Sequence, residues 1–463
     1  MPCSNNPVLT RRTFQASLAL AQSPAAIALG SRRELFVDRE CIATMPGVDL
    51  RLVTPVDAGP VLVLDRPWEG RFSGYTTILR DGAKVRAYYR GSPTAGQDGQ
   101  PTECTCYAES RDGLTWTKPE RNLVLEGQPP FSHNFCPMLD PRGAPRYKAV
   151  AGIHRSGLYA FGSDDGLRWR KLQESAILPS PGEFVFDSQN LAFWSEAEQR
   201  YVLYYRSWRK VGGTGYRWVS RAVSDDFLHW RVEGEMDYGN APPEHLYTNQ
   251  TSAYFRAPHI YVGLCARFFP GRQVLSAEQA RVVGVDPKYF QDCSDAVLVT
   301  SRGGLRYQRT FLEAFVRPGL GLENWVSRSN YPALNVIQTG PAAMSFYVNR
   351  NYGQTTAYLR RYELRLDGFA SAHAGYAGGE LTTKAFTFTG TRLEINYATS
   401  AAGSVRVELQ SAAGETLAAS RECIGDEVAQ SSLFTSSLGQ WQGQAVRLRF
   451  LLKDTDLYSY RFL

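Results

Sequence analysis

The chain of 463 residues carries a formal net charge of +6, and 43% of its residues are hydrophobic. It can therefore bury a large core, while so weak a charge argues against a nucleic-acid partner. Its basic residues are mostly arginine, 43 Arg beside 8 Lys. Guanidinium groups pair well with anions such as uronates or sulfates, but ordinary surface charge is the simpler explanation of the excess.

The N-terminal segment, residues 1–30, predicts an export signal. Thr10-Arg11-Arg12-Thr13-Phe14 precedes a mildly apolar stretch, and Ala26-Ile27-Ala28 has the form of a cleavage site. This order resembles a twin-arginine signal, so we expect a periplasmic or extracellular protein. The alternative is a disordered cytoplasmic leader. No other stretch is apolar over the roughly 18 residues needed for a membrane span, and no membrane partner is expected.

The cysteines argue against a disulfide framework. Cys3 would leave with the signal, and seven cysteines, an odd number, would remain. Cys104 and Cys106 lie two apart on a predicted strand, but no second pair follows at zinc-site spacing. We therefore expect no metal site and no cofactor.

Four segments share the spacing Ser-x-x-x-Leu-x-aromatic: 110–116, 163–169, 224–230 and 301–307. Each follows a short apolar or alternating run and places turn residues before the aromatic residue, which is typical of a β-hairpin. The aromatic residues, Trp116, Trp169, Trp230 and Tyr307, lie 53, 61 and 77 residues apart. Repeats of this length and all-β character predict propeller blades of about four strands.

The repeats assign the chain to five blades. Predicted strands at 34–42 and 48–54 come first and are expected to close the ring. The blades then follow at 74–118, 132–169, 183–230, 244–307, with a helix-like stretch at 276–283, and 343–369. We predict an all-β chain with a five-bladed β-propeller over residues 31–375. Six blades are the alternative.

Beyond residue 376 the pattern changes to short alternating strands separated by turns. They are predicted at 393–397, 404–409 and 446–451. This pattern favours an antiparallel β-sandwich over residues 376–463. Its expected role is packing against the propeller, with sugar binding as the alternative.

Polar residues stand near the start of every predicted blade. A propeller places the first strand of each blade around its central channel, so such residues should converge on one funnel. In chain order they are Trp68, Glu69, His133, Asn134, Asp187, Gln189, Asn190, Glu244, His245, Asn249 and Arg328. We expect these side chains to form the catalytic and substrate-binding site.

The hairpins, the propeller and the C-terminal sandwich together resemble the five-bladed propeller glycoside hydrolases, the arabinanase- and xylosidase-like family 43 and the invertase-like family 32. The resemblance implies three carboxylates on neighbouring inner strands: a base or nucleophile, an orienting Asp and a Glu acid. Asp187 resembles the orienting Asp, and Glu244 resembles the acid. For the remaining carboxylate the chain offers only Glu69, in an approach loop, because blade two presents His133 and Asn134. The invertase-type signatures are absent.

These residues predict an exported glycan-active enzyme, most simply a glycoside hydrolase acting on an oligo- or polysaccharide. Glu244 is expected to be the general acid, and Glu69 or Asp187 the base or nucleophile. His133 and His245 would bind sugar hydroxyls or move a proton, and Arg328 would hold a carboxylate or sulfate.

Three alternatives remain open. A carboxylate at a strand entry also caps backbone amides, which would make Asp187 and Glu244 structural. The missing first carboxylate favours a carbohydrate-binding propeller without activity. The His133/His245 pair and the nearby arginines favour a polysaccharide lyase or a phosphorylase.

Overall fold

The computed structural model describes Met1 and residues 26–463. Five antiparallel sheets of four or five strands follow one another along the chain, and an eleven-stranded sheet completes the structure. The innermost strands of the first and last small sheets meet directly, since Leu334 N donates to Thr76 O at 2.8 Å and Ile78 N donates to Leu334 O at 3.0 Å. The five sheets therefore form a closed ring, which confirms the predicted five-bladed propeller.

Blades I to III are regular four-stranded units, with one extra short strand in blade I. Blade I contains Gly74–Asp81, Lys84–Gly91, Cys104–Ser110, Trp116–Thr117 and Leu123–Leu125. Blade II contains Cys136–Leu139, Tyr147–Ala151, Tyr159–Ser163 and Arg170–Lys171, preceded by a 3₁₀ turn, Phe131–His133. Blade III contains Leu191–Ser195, Arg200–Val211, Thr214–Ser224 and Arg231–Glu235.

Blades IV and V have interrupted inner strands. Blade IV contains His245–Thr248 and Thr251–Tyr254, then Ala257–Phe269 and Cys293–Ser301. Blade V contains Tyr331–Pro332, Ile337–Gln338, Ala343–Arg350, Tyr358–Arg365 and, outermost, Val56–Val63. The insertion in blade IV forms the predicted helix, Ala277–Val283, which Ser276 caps by accepting a hydrogen bond from Gln279 N. A further 3₁₀ turn, Leu322–Asn324, precedes blade V.

The ring is closed by the strand Val56–Val63, which pairs with Tyr358–Arg365 of blade V. The expectation that residues 34–42 and 48–54 close it is wrong. Their strands, Glu34–Leu35, Ile42–Thr44 and Val48–Leu52, pair in the eleven-stranded sheet instead. The alternation of apolar residues in a sequence predicts which face of a strand is buried. It does not predict which sheet the strand joins.

The eleven-stranded sheet bends around a core of its own. Its strands are Ile27–Gly30, Glu34–Leu35, Ile42–Thr44, Val48–Leu52, Ala370–Ala374, Gly379–Thr383, Phe386–Phe388, Leu393–Ser411, Thr416–Ala419, Asp426–Gln430 and Val446–Phe462, with a 3₁₀ turn at Gly439–Trp441. The two longest strands, Leu393–Ser411 and Val446–Phe462, pair with register shifts that let them bend. Alternate residues along both are buried together, including Val405, Val407 and Phe450. The predicted C-terminal sandwich strands all lie within these two.

The repeated hairpins form the turns after the third strand of blades I to III. In the first, Ser110 Oγ accepts from Gly113 N at 2.8 Å, and Asp112 Oδ1 accepts from Leu114 N at 2.8 Å. The next two repeats make the same bonds through Asp165 and Asp226. These aspartates therefore shape turns at the outer ends of the blades, as the repeat pattern predicted.

The fourth repeat has a different role. It carries Arg302 and lacks the turn-forming aspartate of the other three. Arg302 Nη2 lies 2.9 Å from Glu34 Oε2, and its Nε donates to Asp38 Oδ2 at 3.0 Å. His259 Nε2 lies 2.9 Å from the other oxygen of Glu34. Because Glu34 and Asp38 belong to the N-terminal segment of the eleven-stranded sheet, these ion pairs join that sheet to blade IV.

Candidate functional site

One end of the channel gathers side chains from every blade. We call this group the funnel cluster: Tyr75, Arg90, Asp98, Glu103, His133, Asp187, Arg206, Tyr247, Arg328 and Tyr352. Tyr75 begins blade I, and His133, Asp187 and Arg328 stand just before the first strands of blades II, III and V. Tyr247 lies on the first strand of blade IV, while Asp98 and Glu103 come from the loop 92–103 of blade I.

Backbone strain concentrates at the same entries. Tyr75 and Arg328 adopt φ angles of 52° and 59°, and Phe186, beside Asp187, has a φ of 62°. These values lie in the left-handed region, which bulky residues rarely occupy without support from the surrounding structure. Such strain is common at functional sites, so the entries are held in place at a cost in stability.

Two carboxyl groups meet in the funnel. Asp98, Asp187 and His133 each offer a polar side-chain atom within 4.8 Å of the others. Burial and the neighbouring Asp98 raise the pKa of Asp187 to about 6, against the opposing charge of Arg206. Burial opposes ionisation of Asp98 too, but His133, a hydrogen bond from Asp187 and Arg90 lower the pKa of Asp98 to about 2. Asp187 therefore holds the shared proton, and Asp98 is the ionised partner.

His133 is oriented by Glu103. The buried imidazole places Nδ1 3.0 Å from both Glu103 oxygens, and Nε2 lies 3.7 Å from Asp98 Oδ1. Since a carboxylate only accepts hydrogen bonds, Nδ1 carries a proton and donates it to Glu103. Within residues 26–463, Nε2 has no hydrogen-bond partner. A sugar hydroxyl, which can both donate and accept, could bond to Nε2 and to Asp98.

Arginines and tyrosines form the rest of the wall. The Arg328 guanidinium lies 5.3 Å from the ring centre of Tyr247 and 5.8 Å from that of Tyr352. Arg90 lies 4.6 Å from the ring centre of Tyr75. Arg206 Nη2 lies 3.7 Å from Asp187 Oδ2. The funnel therefore combines carboxyl groups with positive charge and aromatic faces.

Only three of the residues predicted from the sequence meet in this funnel: His133, Asp187 and Arg328. The predicted amide side chains beside them, Asn134 and Asn190, donate hydrogen bonds to backbone carbonyl groups. Asn134 Nδ2 donates to three carbonyl oxygens, including Gly152 O at 2.8 Å, and Asn190 Nδ2 donates to Ser188 O at 3.1 Å. They secure the strand entries and do not face a ligand.

Two other predicted amide side chains, those of Gln189 and Asn249, also form hydrogen bonds within the protein. Gln189 Nε2 donates to Thr77 Oγ1 at 2.6 Å, and its Oε1 accepts from Gln250 at 2.7 Å. Asn249 Oδ1 accepts from Thr251 N at 3.3 Å. The bonds of Gln189 join it to blades I and IV, whereas the bond of Asn249 is local to its own turn.

Glu69 and Trp68 lie within the packing of blade I and do not reach the funnel. Glu69 is 0% exposed, and its two oxygens accept from Tyr89 Oη at 2.6 Å and Lys118 Nζ at 2.8 Å. Trp68 Nε1 donates to Asn122 Oδ1 at 2.7 Å. The approach loop folds back on its own blade, so Glu69 is a structural carboxylate.

Glu244 and His245 line a separate surface pocket with Tyr216 and Phe268. Glu244 is fixed by two arginines, with Arg267 Nη1 at 2.8 Å and Arg309 Nη2 at 2.6 Å. Burial, with the charge of Arg217, lowers the pKa of His245 to about 4. The three carboxylates expected to act together are therefore dispersed, and only Asp187 belongs to the funnel.

The sequence prediction missed Asp98, Glu103, Arg90 and Arg206. Asp98 lies in a Gly- and Pro-rich loop, the kind of connection that often carries functional residues. The two arginines end the same Tyr-Tyr-Arg triplet on the second strands of blades I and III, Tyr88-Tyr89-Arg90 and Tyr204-Tyr205-Arg206. That internal repeat is the signal that could have identified them.

No protein-family model and no curated protein matches the chain. A solved glycoside hydrolase is 12% identical, with a TM-score of 0.48 and coverage of 67% of this chain and 92% of its own. A family 43 arabinoxylan arabinofuranohydrolase from Bacillus subtilis is 11% identical, with a TM-score of 0.42 and coverage of 86% and 97%. A family 32 β-fructofuranosidase from Bombyx mori is 12% identical, with a TM-score of 0.40 and coverage of 87% and 93%.

At these identities and TM-scores the likeness assigns no activity to the chain and no role to any of its residues. None of the helices in the described part of the chain has the length and apolarity needed to cross a bilayer.

Proposed function

We propose that this protein is a glycan-active enzyme that hydrolyses a glycosidic bond in the funnel, with Asp187 as the general acid. One observation carries the proposal: Asp98 and Asp187 have carboxyl oxygens within 4.8 Å of each other, and their surroundings drive the two pKa values apart, to about 2 and about 6. Paired carboxyl groups with separated pKa values are the usual basis for dividing acid and base roles between two residues.

In the proposed reaction, Asp187 gives its proton to the glycosidic oxygen as the bond to the anomeric carbon breaks. Asp98 either takes a proton from the attacking water or attacks the anomeric carbon itself. Glycosidases separate these groups by about 5 Å for retention or about 6.5 to 9.5 Å for inversion. Asp98 and Asp187 each have a carboxyl oxygen within 4.8 Å of the other, so a substrate that enters between them has to displace one of them. Asp98 lies on the loop 92–103, which can yield more easily than the strand entry that carries Asp187.

His133 supports this chemistry by binding substrate. Its Nε2 lies 3.7 Å from Asp98 Oδ1 and has no hydrogen-bond partner in the described part of the chain. A sugar hydroxyl that donates to Asp98 and bonds to Nε2 would draw Asp98 away from Asp187. Glu103 holds the imidazole by its Nδ1 and is therefore a positioning residue.

The test is a screen of purified protein against plant and algal polysaccharides, with two matched variants. Asp187→Asn should lower activity by about 10² to 10⁴-fold, because it removes the acid. Glu244→Gln should keep wild-type activity per folded molecule, because Glu244 is ion-paired outside the funnel. An Asp187→Asn enzyme with undiminished turnover would exclude the proposed role.

A polysaccharide lyase is the second candidate, since His133, oriented by Glu103, shares the funnel with Arg328. In β-elimination a base removes the proton beside a uronate carboxylate, an arginine neutralises that carboxylate, and the leaving sugar departs with a double bond formed behind it. The product would absorb in the ultraviolet. The same screen separates the two reactions: a hydrolase releases reducing ends without such absorbance, and a binding propeller without activity releases neither.

We also propose that the protein is exported, on the basis of Arg11, Arg12 and the apolar stretch that follows. Residues 2–25 lie outside the described part of the chain, whereas Ile27–Gly30 forms a strand in the eleven-stranded sheet. Replacing both arginines with lysine should retain the protein in the cytoplasm. N-terminal sequencing of exported protein would locate the cleavage site, and unaltered export of the lysine variant would exclude the twin-arginine route.

A further inference from the structure

Three arginines surround one buried tyrosine at the funnel. The guanidinium carbons of Arg206, Arg217 and Arg328 lie 4.8, 4.8 and 5.3 Å from the ring centre of Tyr247. Within residues 26–463, the only carboxylate oxygen within 4.0 Å of any of them belongs to Asp187, 3.7 Å from Arg206. Within the described residues the three positive charges therefore have one acid in ion-pair contact, and that acid holds a proton over part of the pH range. The ionised Asp98 lines the same pocket as Arg328 and offsets its charge from a greater distance.

Other partly buried arginines of this protein are neutralised differently. Arg221 contacts Glu198 and Glu233, Arg267 contacts Glu244 and Asp295, and Arg302 contacts Glu34 and Asp38. Each of these three has two acids. Arg350, also buried, has no acid within 4.0 Å in the described part of the chain, but it donates to Pro318 O and to Tyr362 Oη. The funnel arginines have fewer acids than the first three, although an uncompensated buried charge is costly.

Arg328 is the arginine best placed to meet a ligand. It lines the funnel pocket together with Asp98, Tyr75 and Tyr352. Its Nη1 has one weak protein partner, Tyr289 Oη at 3.5 Å, and its Nε has none in the described part of the chain. The tyrosine rings hold the guanidinium by its faces, which leaves its N–H edge for a planar or tetrahedral oxyanion.

We propose that the funnel selects glycans carrying an oxyanion, a uronate carboxylate or a sulfate ester, and that Arg328 binds this group. This inference rests on the proposed function for the identity of the ligand as a sugar. The anion would add its charge to those of Asp98 and Asp187 among the arginines, and the sugar ring would then lie over these two acids. Carboxylate and sulfate present the same chemistry to Arg328, so the experiment has to separate them.

The experiment measures binding calorimetrically in an Asp187→Asn background, so that no ligand is consumed. The probes are trigalacturonate and its methyl ester, and a sulfated carrageenan oligosaccharide and its desulfated form. We expect one acidic probe to bind at least about tenfold more tightly than its neutral partner. Whichever acid shows this preference identifies the oxyanion. Equal binding within both pairs, or no binding of either acid, would overturn the inference.

Variants of Arg328 localise the effect. Arg328→Gln should remove the preference for the acidic probe and Arg328→Lys should restore part of it, while Arg272→Gln, a surface control outside the funnel, should leave it unchanged. Preference retained by a folded Arg328→Gln protein would refute the role of Arg328. If that variant does not fold, the acid-to-neutral ratio in the Asp187→Asn protein still decides whether the funnel selects anions. If the protein binds an acidic probe selectively but the wild type turns over no glycan, the hydrolase proposal is wrong and the anion proposal stands. If the wild type turns over neutral glycans only, the anion proposal is wrong and the hydrolase proposal stands.

Discussion

Arg302 Nε donates to Asp38 Oδ2 at 3.0 Å, which connects the fourth hairpin of the propeller to the N-terminal segment of the eleven-stranded sheet. Asp38 is nearly inaccessible, with 1% of its side chain exposed, and Glu34, the second partner of Arg302, has 2% exposed. The fourth repeat lacks the turn-forming aspartate of the other three, and its Arg302 forms ion pairs between the propeller and the eleven-stranded sheet.

Arg302→Ala should lower the free energy of unfolding by about 3 to 5 kcal/mol, because it leaves two buried carboxylates without their cation. Arg168→Ala is the matched control. Arg168 pairs with Asp165 in the second repeat, but its side chain is 91% exposed, so its removal should change stability by less than about 1 kcal/mol. Urea denaturation of both variants checks this, and equal effects would show that the ion pairs of Arg302 do not stabilise the interface.

Glu34 should make the protein acid-labile. Burial alone would raise the pKa of Glu34, but the hydrogen bond to His259 and the charge of Arg302 lower it from 4.5 to about 2. The stabilisation is complete above pH 4.5 and is lost as the pH falls toward 2. It amounts to about 3 kcal/mol. The test is the melting temperature measured between pH 6 and pH 2. It should fall less steeply with decreasing pH for Glu34→Gln than for the wild type, and equal slopes would contradict this role of Glu34.

The activity should fall as the pH rises above about 6, because the proposed acid Asp187 must hold a proton and burial raises its pKa to about that value. Arg206 opposes that rise. Arg206→Gln should therefore raise the pKa of Asp187 further and move the alkaline limb of kcat/KM to higher pH. A limb that stays in place or moves to lower pH would argue that another group is the acid.

Glu69 and Asp187 should show opposite behaviour on replacement. Glu69→Gln breaks a buried ion pair with Lys118 and should cost about 3 kcal/mol or more of stability, with turnover per folded molecule unchanged. Asp187→Asn should lose turnover and keep most of its stability. Melting temperatures and specific activities of the two purified variants provide the test. A Glu69→Gln enzyme that is stable but inactive would show that Glu69 takes part in catalysis.

The hairpin repeats allowed the blades to be placed from sequence because each hairpin is stabilised by local bonds. Ser110, Asp112 and their counterparts fix their turns through amides two or three residues away, so the spacing survives in the sequence. The closing strand, Val56–Val63, bonds to Tyr358–Arg365 across most of the chain. Nothing local to either segment encodes that pairing.

The site was predictable to the level of strand entries but not of side-chain direction. His133 ends the 3₁₀ turn Phe131–His133 and faces the funnel, while Asn134, the next residue, turns to the backbone carbonyls behind it. Asp98 reaches the funnel from a loop with no periodicity, and Glu244 stands at a blade entry yet is drawn aside by Arg267 and Arg309. Long-range charge pairing, which a single sequence does not display, determined these outcomes.

The placement of Val56–Val63 as the last strand of blade V has a consequence for biosynthesis. This strand is among the first parts of the propeller to leave the ribosome, yet its partner, Tyr358–Arg365, is the last propeller strand to be made. The four earlier blades can form during translation, but the ring can close only afterwards. Until Tyr358–Arg365 has been made, Val56–Val63 has no strand to pair with in the propeller, and its unpaired edge is open to pairing with other chains.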